Sequence, residues 1–501
     1  MRSNYYISSF FWSTLAKILN AVLGFISIPL LLGLYGKAEY GILSIATACN
    51  AYMNILDLGM NTGAVRYFSQ WRVEKKNDLI DRVARTNITF YLIIAVVNSI
   101  ILTILAIYGE NLFSVTHEQF LQLRICLLVI AFFSIFSWST TAFNQLLIAN
   151  KQIAFTMQMQ CFQVLLKMTL VGIVLCFKLT LSVYFFWLTL ISAFLFLPYI
   201  YKCKKSFFIS CIRPATYWSD FRTILVFSLS IFVLSLFQMT STQSRPILLS
   251  IFSENGASVV AEFRILEVIP MFVIMIGLTF SNIFLPTSSE LLVRKQQSEI
   301  ESFAYKWTRL TSILANILCI PFIFSSEEFL TAYVGKEYSH LSLWLIIWCI
   351  TAIIQIHTTP GNSLILACGK TKLLVITSAV ACIISMIMNI VFCKILGVGS
   401  AIVGYFIYVI LVIGMNYIFY YKKILLLNKI KMFMSFMFPT IVGFVTLYLV
   451  NFLPFNTLKY IFFDNRFSIL LFCGIKTIAW LIPYILLLFV FRIVKKSDLI
   501  K

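Results

Sequence analysis

The chain has 501 residues, 60% of them hydrophobic and only 12% charged, with a mean hydropathy of +0.94 and a net charge of +20. Soluble domains run at roughly 45–50% apolar and 25% charged, so a soluble enzyme and a disordered chain are excluded. A single-anchor protein is excluded too, because the apolar residues are spread over the whole length. The basic residues sit between apolar runs rather than in one patch, which argues against nucleic acid as a partner.

Fourteen apolar segments have the length of a membrane helix, about 20 residues. In chain order they are 9–32, 41–61, 86–107, 125–147, 155–177, 181–201, 223–249, 259–285, 307–324, 341–366, 373–392, 400–420, 432–452 and 467–491. The first is too long, and too polar at Lys17 and Asn20, for a cleaved signal peptide. A transmembrane barrel would show short alternating segments instead. With the N-terminus inside, the inner segments carry 26 Lys and Arg and the outer loops 6. This asymmetry places both termini in the cytoplasm. It also accounts for most of the net charge without an acidic partner. The twelve cysteines lie mostly inside apolar segments and form no CxxC pair, so they read as small core residues. No large extramembrane domain is expected on either side.

Two tetrapeptides recur at a shared offset. Pro29–Leu32 returns as Pro246–Leu249 after 217 residues, and Leu146–Ala149 returns as Leu364–Ala367 after 218. Six spans separate the copies, so both cross in the same direction. The expected architecture is an all-α integral membrane protein with about 14 transmembrane helices. It has two parallel six-helix lobes, with substrate between them, plus two C-terminal helices. The N-lobe is 1–205, the cytoplasmic linker 206–222, the C-lobe 223–421, and the last two helices occupy 432–491.

Several spans carry polar residues at helical spacing. These are Ser13, Lys17, Asn20, Gly24 and Ser27 in the first, and Thr47, Asn50, Asn54, Asp57 and Asn61 in the second. The fourth has Ser134, Ser137 and Thr141, the fifth Thr156, Gln160, Gln163 and Lys167, and the seventh Ser235, Gln238, Thr242 and Arg245. The tenth has Gln355, His357, Thr358 and Asn362 around Pro360-Gly361. Small polar residues often only join helices. Charges are different, because an ionised side chain at the bilayer centre costs roughly 2.5–3.5 kcal/mol on insertion scales. Lys17 can snorkel toward the cytoplasm; Lys167, mid-span, cannot easily do so. Lys17, Lys167, Arg245 and Arg264 form a basic ladder against the acids Asp57, Glu262 and Glu267. Such a path suits an anionic head group, a phosphate or an acidic sugar. A local ion pair is the alternative for Arg264 and Glu267, which stand three residues apart on one helix.

The run Leu34-Tyr35-Gly36-Lys37-Ala38-Glu39-Tyr40-Gly41, followed by Asp57-Leu58-Gly59 and Arg66, resembles the opening of the Wzx-type O-antigen and capsular polysaccharide flippases. These belong to the multidrug/oligosaccharidyl-lipid/polysaccharide exporter superfamily. Leu147–Lys151, Phe263-Arg264-Ile265, Pro286–Leu291 and Val334–Tyr338 are also similar. The sequence departs from the family's pattern at Arg245, at Ser258-Val259-Val260 and at Glu262. The resemblance implies a flippase, not an enzyme. It would turn undecaprenyl-pyrophosphate-linked oligosaccharide to the outer leaflet by alternating access, for O-antigen, capsule or exopolysaccharide (lipopolysaccharide) assembly. It implies a prokaryotic inner-membrane location and no cofactor, with a proton or sodium gradient as driver. A polysaccharide polymerase and a chain-length regulator are the implied partners. The candidate substrate residues are Lys17, Asn20, Arg66, Lys167, Arg245 and Arg264; the ion-coupling candidates are Asp57, Glu262, Glu267 and His357. No metal site is expected.

Two rivals are weighed. A drug or metabolite antiporter of the same superfamily would favour an acidic cavity. A membrane-embedded polymerase or glycosyltransferase would show a large catalytic loop or an Asp-x-Asp metal site, and neither is present.

Overall fold

A computed structural model describes residues 2–206, 213–294, 296–368, 371–455, 465–491 and 493. The centre of the expected linker (207–212), and Lys295, Lys370, Lys459, Arg492, Lys495, Lys496 and Lys501 of the topology argument, lie outside the described residues, as does the side chain of Ser235. Among the described residues the fold is all helical. Contacts divide the chain into two compact units, Met1–Ala261 and Glu262–Lys501.

The first unit begins with α1 (Arg2–Met53), a 52-residue helix with one interruption. At 1.5 Å per residue it would run about 78 Å, far beyond a hydrocarbon core of about 30 Å. Gly36 breaks it, with φ 77° and ψ 174°, a conformation open in practice only to glycine. The Leu34–Gly41 run is therefore the turn between the first two expected spans. Next to it the Tyr35 hydroxyl donates to Leu179 O at 2.9 Å. A 3₁₀ turn, Asn54–Asp57, ends this stretch. Leu58 and Gly59 then take left-handed conformations (φ 51° and 74°) before α2 (Met60–Val73) resumes.

The unit continues with α3 (Asn77–Tyr108), α4 (His117–Ala149), α5 (Ile153–Phe177), α6 (Leu181–Ala193) and α7 (Phe196–Ser206). It closes with α8 (Trp218–Gln243) and α9 (Arg245–Phe252). The division between units falls inside α10 (Gly256–Arg294). Helix α3 shows how lipid reverses the usual pattern. Ile93, Val96, Val97, Ile100, Ile104 and Ile107 form its exposed stripe, while Asn87, Tyr91 and Asn98 are buried. Apolar side chains face outward because lipid offers nothing to a polar group, and polar ones turn inward to find partners.

The second unit contains the rest of α10, α11 (Gln297–Phe324), α12 (Ser326–Tyr333), α13 (Ser342–Ile356) and α14 (Thr359–Ala367). It continues with α15 (Thr371–Leu396), α16 (Val398–Met415), a π-helical stretch Asn416–Ile424, α17 (Lys429–Val450) and α18 (Arg466–Val490). Helices α17 and α18 are tied to α11 by Asn316, whose Nδ2 reaches Thr440 Oγ1 at 3.3 Å and the Tyr484 hydroxyl at 3.2 Å. Pro360 and Gly361 sit in the first turn of α14, where the expected tenth span is interrupted.

The expected segments fall mainly on helix, the second being broken at Leu58 and Gly59. Eleven helices among the described residues are long and apolar enough to cross a membrane, the first of them covering two expected segments. One pair of recurring tetrapeptides has the same structural role: Ala149 ends α4 and Ala367 ends α14. The other pair does not, since Pro29 lies within α1 and Pro246 in the first turn of α9.

Candidate functional site

A polar cavity of about 320 Å³ lies within the first unit. Helix α1 and the 3₁₀ turn after it supply Thr47, Asn50 and Asn54, and α4 supplies Ser134, Ser137, Trp138 and Thr141. Helix α5 supplies Lys167, and Asn98 of α3 with Thr189 and Ser192 of α6 complete the polar lining. Although Asp57, Asn61, Thr156, Gln160 and Gln163 do not line it, Thr47, Asn50 and Asn54 of the second-span stripe, the whole fourth-span stripe and Lys167 of the fifth thus meet at one place. Their 3-and-4 spacing puts each set on one helix face, and lipid would not tolerate that face outside.

Among the described residues, Lys167 is the only charged one in the lining. It is half-buried and makes no hydrogen bond or ion pair among the described residues. Around it the hydroxyls are mostly engaged with their own helices. Thr47 Oγ1 donates to Ser44 O at 2.9 Å, Thr189 Oγ1 to Phe185 O at 2.8 Å and Ser192 Oγ to Leu188 O at 2.9 Å. Hydroxyls used in this way turn acceptor lone pairs toward the cavity. Asn98 Nδ2 donates to Ser134 Oγ at 2.6 Å, which joins α3 to α4. The Asn50 and Asn54 carboxamides are exposed and make no hydrogen bond among the described residues. The lining groups that donate no hydrogen bond among the described residues are therefore the Lys167 ammonium, the Asn50 and Asn54 amides, the Ser134 and Ser137 hydroxyls and the Trp138 indole N–H.

Behind Trp138 stands a second polar network. The Trp138 ring stacks on Tyr91, with centroids 6.0 Å apart and planes at 21°. The Tyr91 hydroxyl donates to Asp57 Oδ1 at 2.5 Å and accepts from Gln145 Nε2 at 2.5 Å. Gln145 Oε1 accepts from Asn87 Nδ2 at 2.8 Å. Asp57 Oδ2 also accepts the backbone N–H of Asn61 at 3.1 Å, one of the unpaired donors at the start of α2. Asp57 thereby holds both sides of the break in the second span.

The other sequence candidates lie elsewhere. Lys17 and Asn20 are exposed on α1 and do not line this cavity, and the Asn20 amide donates to Ala16 O at 2.9 Å. The Arg66 guanidinium lies 4.3 Å from the centroid of the Phe227 ring, a cation–π contact between α2 and α8. Arg245 is 3% exposed at the start of α9, where its Nε donates to Thr242 O at 3.2 Å.

In the second unit, Arg264 Nη1 meets Glu267 Oε2 at 2.6 Å, so the i, i+3 pair forms. Glu262 faces His340 Nε2 at 3.5 Å. His357 is 2% exposed, stacks on Phe436 with centroids 4.0 Å apart, and is hydrogen-bonded to Ile354 O and the Tyr417 hydroxyl. It lines a separate, largely apolar groove of about 710 Å³ with Ile350, Ile354, Tyr417, Phe433, Phe436 and Tyr448.

Asn98, Trp138, Thr189 and Ser192 were not among the residues that spacing singled out. Thr189 and Ser192 are three apart, a signal too short to stand out. Asn98 is isolated in its span. No group of acids, histidines and cysteines able to hold a metal ion occurs among the described residues.

The arrangement is a polar pocket with one basic side chain within the apolar helices, suited to binding and releasing a polar anion without covalent chemistry. No curated protein matches the chain. Its fold is similar to that of "Lipid II flippase MurJ, inward closed conformation", at 14% identity and a TM-score of 0.72, with 99% of each chain covered. It is also similar to the inward-facing conformation of a multidrug resistance MATE family transporter of the MOP superfamily. There identity is 13% and the TM-score 0.65, over 83% of this chain and 93% of that one. The outward-facing form of such a transporter matches at 14% identity and a TM-score of 0.52, over 81% and 94%. These neighbours are transporters and flippases, not enzymes. The family model described as "Polysaccharide biosynthesis protein" matches residues 7–292. A multi-pass helical membrane chain with the fold of flippases and exporters, it belongs to the polysaccharide biosynthesis protein family.

Proposed function

We propose that the chain moves a prenyl-pyrophosphate-linked oligosaccharide from the cytoplasmic to the outer leaflet for surface polysaccharide assembly. The observation that carries this reading is Lys167, a cation without a partner in a polar cavity inside the membrane. A structural lysine in lipid would be paired or would snorkel. A free ammonium among amides and hydroxyls is a receptor for a negatively charged, hydroxyl-rich cargo. The family supports polysaccharide as the product that the cargo serves. The fold supports alternating access by two lobes, 1–205 and 223–421. Arg66 and Arg245 are further candidates for the cargo's path. Asp57, in its network with Tyr91, is the coupling candidate for a proton or sodium gradient. A multidrug exporter is the alternative that the same fold allows, but a lone cation in the cavity repels cationic drugs.

In this reading both termini are cytoplasmic, the membrane is the inner membrane of a prokaryote, and the product passes to a polymerase outside. A strain lacking the chain should accumulate lipid-linked repeat units on the cytoplasmic leaflet and lose its surface polysaccharide. An unchanged surface, with no second transporter present, rejects the proposal. Single cysteines at Ser298 and Ser339 in a cysteine-free background test the orientation. Reagent added to whole cells should label Ser339→Cys and not Ser298→Cys; the reverse pattern inverts the topology.

A further inference from the structure

We infer that the Lys167 cavity recognises a single carboxylate on a sugar of the cargo, a uronic-acid type residue, and does not hold the pyrophosphate. The inference rests on the transport reading above and names the part of the cargo that this cavity takes.

Charge balance is the first argument. A pyrophosphate that links a lipid to a sugar carries two negative charges. In a low-dielectric setting an uncompensated charge is strongly disfavoured. Among the described residues the cavity lining offers one positive charge and no second cation. One ammonium neutralises one carboxylate completely and leaves a pyrophosphate half compensated.

Geometry of the donors is the second. Phosphate recognition favours Arg, whose planar fork engages two oxygens at once. Among the described residues the lining contains no Arg; its charged donor is the point charge of Lys167. The remaining free donors are all neutral: the carboxamides of Asn50 and Asn54, one turn apart on the same face, the Ser134 and Ser137 hydroxyls and the Trp138 indole N–H. Amides both donate and accept, which suits sugar hydroxyls rather than a polyanion.

The rest of the lining is the third. Trp138 lines the cavity, and one face of its ring is taken by Tyr91. The hydroxyls of Thr189 and Ser192, whose protons go to their own helix, present acceptors to a cargo's O–H groups. A cavity with one cation, two amides, an aromatic side chain and several hydroxyls matches a hydroxyl-rich monoanion.

The experiment measures leaflet transfer in proteoliposomes by the purified full-length chain. Two probes are compared: a prenyl-pyrophosphate-linked disaccharide ending in glucuronic acid, and the same compound ending in glucose. The readout is the ratio of acidic to neutral transport. The parent chain should favour the acidic probe by about tenfold or more, and Lys167→Gln should bring the ratio near one. Lys167→Arg should keep most of the preference, since charge is retained. Lys167→Met, of similar size, repeats the test should the Gln variant prove unstable in detergent. A ratio that Lys167→Gln leaves unchanged overturns the inference, because pyrophosphate is common to both probes. A parent with no preference overturns it as well, while leaving the transport reading intact. A parent that moves neither probe overturns both.

Discussion

The two units treat buried polarity in opposite ways. In the first, Lys167 stands without a partner in a cavity of amides and hydroxyls. In the second, the larger hollow is mostly apolar, and its histidine, His357, is satisfied at both ring nitrogens and stacked on Phe436. The candidate charges of the second unit are likewise engaged, Arg264 with Glu267 and Glu262 with His340. A charge inside a membrane is therefore not a functional signal by itself. What separates Lys167 from the others is that the fold surrounds it with polar groups and still leaves its charge unanswered.

Lys476 gives the sharpest contrast with Lys167. Both are lysines within expected spans. The Lys476 ammonium donates to Phe324 O at 2.8 Å, meets Glu328 at 3.2 Å, and lies 4.3 Å from the Phe324 ring centroid. Lys476→Ala removes the cation facing a buried carboxylate and should destabilise the chain by about 3–5 kcal/mol. The measurement is thermal unfolding in detergent. A variant as stable as the parent would break the distinction between a structural and a receptive lysine.

His357→Leu should cost less, about 1–3 kcal/mol, because it deprives the half-buried Tyr417 hydroxyl of a partner without exposing a charge. His357→Leu with Tyr417→Phe removes both polar groups and should regain part of that loss in the same unfolding assay. Additive losses in the double variant would mean that the two side chains do not act as a pair.

Asn98→Ala removes the amide that joins α3 to α4. It should lower stability by only about 0.6 kcal/mol, the typical worth of an interhelical hydrogen bond in lipid. The smallest effect on stability belongs to Lys167. Lys167→Met should unfold at or above the temperature of the parent, since no partner is lost and a charge leaves the membrane interior. A marked fall in unfolding temperature would reassign Lys167 to the structural class, together with Lys476.

Much of the site was legible from spacing. Thr47, Asn50 and Asn54, then Ser134, Ser137 and Thr141, then Lys167, were each marked by helical periodicity, and the fold brings these three sets to one cavity. Asn98, Thr189 and Ser192 were not marked, since one or two polar residues in an apolar span carry no periodic signal. The fate of the charges was legible only where it was local. Arg264 and Glu267 are one turn apart, so their pairing could be weighed from sequence. Lys476 and Glu328 are separated by 148 positions, and Glu262 and His340 by 78; nothing in the order of residues relates them.

By itself, then, the sequence determined that the chain is a helical membrane protein, where its apolar segments fall, and which helix faces are polar. Those follow from hydropathy and a 3.6-residue period, both readable along one dimension. Tertiary structure decided which polar faces meet, that the first two segments are joined through a glycine turn at Gly36, and which charges find a counter-charge. Pairing is decided by the packing of helices distant in sequence. In a medium without water to stand in for a missing partner, that packing alone determines whether a buried cation holds the fold together or waits for a ligand.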